Sequence, residues 1–196
     1  MATEPFGKLP AMSVLAGPVF AFAALLAFAG VQKLAWPAAT ATALRAGGLP
    51  SSELAGRLLG LTEIVVAAVA LAFGTPVSAG LLALIYGAFT LFSWRLASGS
   101  DVASCGCFGQ TDAPTTGLHV GLNAVTTVVC AAAVIWPTGS VTDVLADQPL
   151  AGLPFVGLTA VAAWLWYVML EVVPDLQATV TDNERDSIAV AGSERA

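Results

Sequence analysis

The sequence predicts an all-α integral membrane helical bundle, on three observations. Hydrophobic residues make up 57% of the 196-residue chain and charged residues only 10%, where soluble domains run nearer about half and about a quarter. The mean hydropathy is +0.84. Five apolar stretches reach or approach the ~20 residues that cross ~30 Å of hydrocarbon, and lipid-exposed irregular backbone is not tolerated there, which leaves helices as the economical architecture.

The elements follow in order. A short segment, 1–13, precedes the first apolar stretch, 14–34. That run is long for the apolar region of a signal peptide, and Glu4 against Lys8 gives its flank little positive charge, so it reads as a retained helix. The second stretch, 58–73, is short, and "GTP" at 74–76 turns tightly into the third, 77–96. After a cysteine-bearing loop comes the fourth, 118–136, then a loop over 137–153 and a fifth stretch, 154–173. The tail 174–196 carries much of the acid behind the formal charge of −6. It lacks an apolar face and reads as disordered. No basic patch suggests nucleic acid, and the bilayer is the one partner that composition demands.

Ionisable residues gather at one membrane level. Lys33 ends the first helix, Arg57 lies near the start of the second, Arg95 ends the third and His119 opens the fourth, beside the loop that holds Cys105 and Cys107. Glu63 and Asn123 lie deeper, each about five residues into its helix and so roughly 8 Å below the rim. Ionisable groups at such depth usually face a bundle interior or a water-filled cavity, so Glu63 is a site candidate. Its bland alternative is a structural pair with Lys33. For Asn123 the alternative is an interhelical hydrogen bond, and for His119 an interfacial place at a helix start.

Two thiols one residue apart suit redox chemistry. The thiolate is the nucleophile of disulfide exchange, and cations such as Lys33 or Arg95 lower its pKa from ~8.5. A disulfide closed over Gly106 would be a small, strained and reducible ring, for which glycine supplies backbone freedom. A zinc or copper site would have Cys105, Cys107 and His119 but lack a fourth ligand. Cys130, the third cysteine, lies ~18 Å along the fourth helix, too far to serve. It reads as a small buried hydrophobe.

The segments "FAGVQKLAWPAATATALRAGGLP" (28–50), "GLTEIVVAAVAL" (60–71), "CGCFG" (105–109) and "LHVGLN" (118–123) resemble the MauE family, methylamine-utilisation proteins grouped with DoxX-like redox-associated membrane proteins. The resemblance spans roughly 14–136 and implies a four-helix membrane domain, to which this chain adds a fifth helix. It implies action beside a thioredoxin-like redox protein and, in methylamine-utilising bacteria, maturation of the disulfide-rich small subunit of methylamine dehydrogenase. Carried over by position, the site residues are Lys33, Glu63, Cys105, Cys107 and Asn123, with Arg95 and His119 in support. Such proteins often carry an Arg before the Asn; here that position is Leu122.

Two functions remain open at this point. In a thiol–disulfide relay, Cys105 or Cys107 attacks a partner's disulfide, the other resolves the mixed disulfide, and Glu63 manages protons. In a membrane scaffold or transport component, the CGC loop has only a shape. No cofactor is expected in either. A quinone-linked relay is the variant that Phe108, Trp94 and Trp36 near the rim would suit, although aromatics are expected at interfaces. Lys33, Arg45, Arg57 and Arg95 against Lys8 alone place the loop on the cytoplasmic side by the positive-inside rule. The resemblance to proteins that mature secreted disulfides places it outside the cell membrane, and since Lys33 and Arg95 are also site candidates, the extracytoplasmic reading is preferred.

Overall fold

A computed structural model describes residues 14–99, 104, 106, 115–147 and 149–193. Its helices are α1 (Ala16–Ala35), α2 (Pro37–Ala46), α3 (Glu53–Phe73), α4 (Pro76–Ala97), α5 (Gly117–Ile135), α6 (Val141–Asp147) and α7 (Pro149–Ser193). No strand occurs among the described residues. Among the described residues, five helices are long and apolar enough to cross a membrane: α1, α3, α4, α5 and the Gly152–Pro174 part of α7. These are the five predicted stretches.

The second span begins earlier than its apolar run. Ser52 Oγ accepts the Ala55 N–H at 3.0 Å, an N-cap that satisfies one orphan donor of the first turn. Glu63 is therefore ten residues, about 15 Å, along α3 rather than about 8 Å, and the turns before it project past the end of α1 to pack on α2. Two short helices occupy connectors for which hydropathy alone predicts loops. Pro37 starts α2, where its missing N–H costs nothing. At α6, Ser140 Oγ accepts the Asp143 N–H at 3.0 Å and Asp143 Oδ2 accepts the Ser140 N–H at 3.0 Å. Hydrogen bonding of the exposed Asp143 carboxyl to the Ser140 side chain first, and to the Ser140 N–H second, holds it below the usual carboxylate range.

Helix α1 is central and α7 peripheral, with 56% and 11% of their spans buried inside the protein. The core joins Phe22 and Leu26 of α1, Ala67 and Ala70 of α3, Leu82 and Tyr86 of α4, and Cys130 and Ala133 of α5. Small residues dominate because lipid is as apolar as a leucine side chain, so helices associate through close packing rather than through escape from water. The Tyr86 hydroxyl donates to the Phe22 carbonyl at 2.7 Å. Cys130 is a free thiol within this core, as the sequence suggests. At the far end, Gly74 caps α3 at φ +54°, and a Cβ there would collide with the Gly139 backbone. The α3–α4 turn thus abuts the α5–α6 connector.

The tail departs from expectation. Helix α7 runs through Pro174 to Ser193, where composition predicts disorder. Once a span has formed a helix, its continuation adds a bond per residue without a new nucleus.

Candidate functional site

Two glycines create the site. A Cβ on Gly30 would lie 2.6 Å from the Gly60 carbonyl oxygen, and one on Gly60 would lie 2.7 Å from the Gly30 carbonyl oxygen. The backbones of α1 and α3 therefore touch, which only glycine permits on both sides. Three residues on from each glycine, and so about one turn along the same face, come Lys33 and Glu63. Lys33 Nζ donates to Glu63 Oε2 at 3.0 Å, with the two side chains 2% and 0% exposed. Glu63 Oε1 accepts no hydrogen bond from any described residue. From α4, the Phe89 ring lies under the ammonium, 5.4 Å from its centroid, a cation–π distance.

Helix α2 packs over this pair. A Cβ on Gly56 of α3 would stand 2.9 Å from the Pro37 carbonyl, so α2 rests directly on the first turns of α3. The buried Thr40 hydroxyl donates to the Gly106 carbonyl at 3.4 Å, and the Gly106 N–H donates to Ser104 Oγ at 3.3 Å. Gly106 has φ +59°, and a Cβ on it would meet Ala43 Cβ at 2.9 Å and the Ala39 carbonyl at 3.0 Å. The residue between the two cysteines in sequence is thus docked on α2 and fits there only as glycine. Beneath α2 a cavity of about 190 Å³ is lined by Lys33, Thr40, Leu44, Leu59, Phe89 and Phe92, among others.

On the other side of Phe89 a pocket of about 20 Å³ is lined by Tyr86, Phe89, His119, Asn123 and Leu170, among others. That is room for roughly one water. His119, in the first turn of α5, is buried within the protein. Its Nδ1 accepts the Thr116 N–H at 3.2 Å, which leaves the ring proton of the neutral form on Nε2. Asn123 Nδ2 donates at 2.9 Å to the His119 carbonyl of its own helix, so its bond is intrahelical.

Of the predicted residues, the structure joins Lys33 to Glu63 and His119 to Asn123, with Phe89 between the two groups. Arg95 stays exposed at the end of α4, its guanidinium beside Gly48 of the α2–α3 turn. Trp36 and Trp94 are exposed as well. Cys105, Cys107 and Phe108 lie outside the described residues. Sequence reasoning missed Thr40 and Phe89, which carry no signal in apolar or small-residue helices. It also missed Glu171, buried on α7 next to Leu170, although an acid inside an apolar span was there to be read.

Gly106→Ala tests the docking. Left-handed backbone costs a side-chain-bearing residue about 1–2 kcal/mol, and here the clash with Ala39 adds to it. Amides of α2 are expected to lose protection in hydrogen exchange; unchanged protection would show that glycine is not what holds this contact.

A family model described as Methylamine utilisation protein MauE matches residues 11–137. No curated protein and no solved structure matches the chain.

Proposed function

The chain belongs to the MauE family of methylamine utilisation proteins, and from that premise we propose that it is a thiol–disulfide exchange component of the cell membrane. Cys105 and Cys107 are its redox pair, a thioredoxin-like protein is its partner, and an extracytoplasmic disulfide protein is the object of maturation. In the family's own setting that object is the small subunit of methylamine dehydrogenase. The observation that carries this reading is the docking of Gly106 on α2, at a wall of the cavity that Lys33 lines.

A partner thiolate attacks one sulfur of the Cys105–Cys107 disulfide, forming a mixed disulfide and releasing the other sulfur as a thiolate. The partner's second thiolate then attacks the mixed disulfide, so the partner leaves oxidised and this chain keeps a dithiol. The reverse sequence reduces the partner. The Lys33 charge favours thiolate over thiol, and the buried Glu63 carboxylate serves as proton acceptor.

The double variant Cys105→Ser/Cys107→Ser is expected to abolish maturation of the partner's disulfides while the protein still inserts, scored by thiol alkylation of the partner. Full maturation by the double variant would refute the relay and leave a scaffold. In a Cys130→Ser background, a membrane-impermeant maleimide should label intact cells only after mild reduction. Labelling confined to permeabilised cells would place the pair inside.

A further inference from the structure

We infer that the groove between α7 and the face formed by α1 and α5 is a binding site for one phospholipid acyl chain. The groove holds about 500 Å³. Its walls are Pro18, Ala21 and Phe22 of α1, Val125 and Val129 of α5, and the part of α7 from Phe155 to Trp166. The site involves neither cysteine of the proposed redox pair.

Its depth in the bilayer comes from the helix directions. Phe20 meets Phe155 and Phe28 meets Tyr167, with ring centroids 6.0 Å and 5.5 Å apart, so α1 and α7 run parallel. The groove therefore begins at the rim where α1 begins, away from Lys33 near the other end of that helix. Phe22 is the seventh residue of α1, and Val125 and Val129 lie ten and six residues before the end of α5. Phe155 and Trp166 are eleven residues apart, about 16 Å of helix. That is the depth of one leaflet of a hydrocarbon core ~30 Å thick.

The lining suits hydrocarbon. None of the described lining residues is charged. The Thr159 hydroxyl donates to the Phe155 carbonyl of its own helix at 2.9 Å, and the Trp166 ring lies against Phe22 with 5.2 Å between centroids. An apolar cavity of this kind does not hold water. About 500 Å³ spread over about 16 Å is a channel roughly 6 Å across, half the ~10–12 Å of a helix with its side chains. A membrane helix of another chain is too wide to seat in it, whereas a linear alkyl chain fits. Leu158 and Val125, both lining residues, are exposed, so the groove opens sideways to lipid.

Helix α7 lies beyond the matched residues 11–137 and has only 11% of its span buried inside the protein. A void along its inner side would forfeit dispersion contacts for every group that lines it. The acyl chain restores those contacts and so forms part of the seat that joins α7 to the other four spans.

The test uses the full chain, extracted in dodecyl maltoside for native mass spectrometry and, in parallel, reconstituted in nanodiscs with a phosphatidylcholine that bears a diazirine on one acyl chain. One phospholipid is expected to stay bound through extraction. Cross-links are expected on peptides containing 17–22, 125–129 and 155–166, in preference to the exposed α3 positions Leu54, Leu58 and Leu61. Ala162→Phe puts a ring into the groove and should cut retention and groove labelling by about tenfold or more, as overpacking of a formed site does, while labelling of α3 holds. Since that ring fills the void from within, amides of 155–166 should keep their hydrogen-exchange protection after delipidation, where those of wild type should lose it. Folding is checked by size-exclusion profile and helix content, and Val125→Phe, which fills the groove from the opposite wall, replaces Ala162→Phe if the latter fails that check. Cross-links that simply follow exposure along every helix, equal retention by a folded filled variant, or a retained mass that is not a phospholipid would overturn the inference.

Discussion

Lys33→Met with Glu63 left in place is expected to cost the folded bundle about 3–5 kcal/mol, the usual penalty for stranding one member of a buried ion pair. Both side chains are almost fully buried and only 3.0 Å apart. Nothing else on the described residues hydrogen-bonds the free Glu63 oxygen, so the remaining carboxylate would have no substitute partner among them. Against total stabilities of about 5–15 kcal/mol, this loss should be plain in steric-trapping or SDS unfolding. The double variant Lys33→Met/Glu63→Leu is the informative comparison. Replacing a buried pair by apolar residues of similar volume is often neutral or stabilising by about 1–4 kcal/mol, so it should insert and fold. A folded double variant that fails to mature its partner assigns the pair to the chemistry; one that succeeds makes the pair a clasp between α1 and α3. A single variant as stable as wild type would mean the pair contributes nothing to the fold.

The second large effect is expected at the helix crossing. Gly60→Val or Gly30→Val places a Cβ within 2.7 Å or 2.6 Å of the facing carbonyl oxygen, and a backbone oxygen cannot rotate away as a side chain can. The helices must separate, at a cost of about 1–3 kcal/mol or more, and the Lys33–Glu63 contact stretches with them. Gly80 and Gly87 serve as controls within the same protein. A Cβ there would find its nearest neighbours at 3.8 Å and 3.6 Å, ordinary contact distances, so Gly80→Ala and Gly87→Ala should be harmless or gain up to about 1 kcal/mol of helix propensity. Equal sensitivity at all four glycines would contradict the close crossing.

Much of the architecture was legible because hydrocarbon is a severe solvent. Apolar runs of sufficient length have to be spans, a lysine and a glutamate near or inside them have to find partners, and a lone cysteine mid-span has to be a packing residue. Lys33, Glu63 and Cys130 could therefore be read from sequence without knowing any contact. The faces of the helices could not. In a soluble helix the polar side marks the outside, but here the lipid-facing and bundle-facing sides are both apolar, so nothing in the run around Phe89 distinguishes a residue under an ammonium from one in lipid. Composition also misread the tail, because it measures whether a segment can fold alone and not whether it extends a helix already formed.

The fold class, the five spans and the ionisable residues that must be satisfied within them are legible in the order of residues alone. The packing of the helices sets the rest: Glu63 takes Lys33 while Arg95 stays exposed, Asn123 bonds within its own helix, and Gly106 and Thr40 meet across 66 residues of chain. Each of those choices depends on where two backbones cross, and that is fixed by the close approach of glycines on separate helices, a property of pairs of elements that no single stretch of sequence contains.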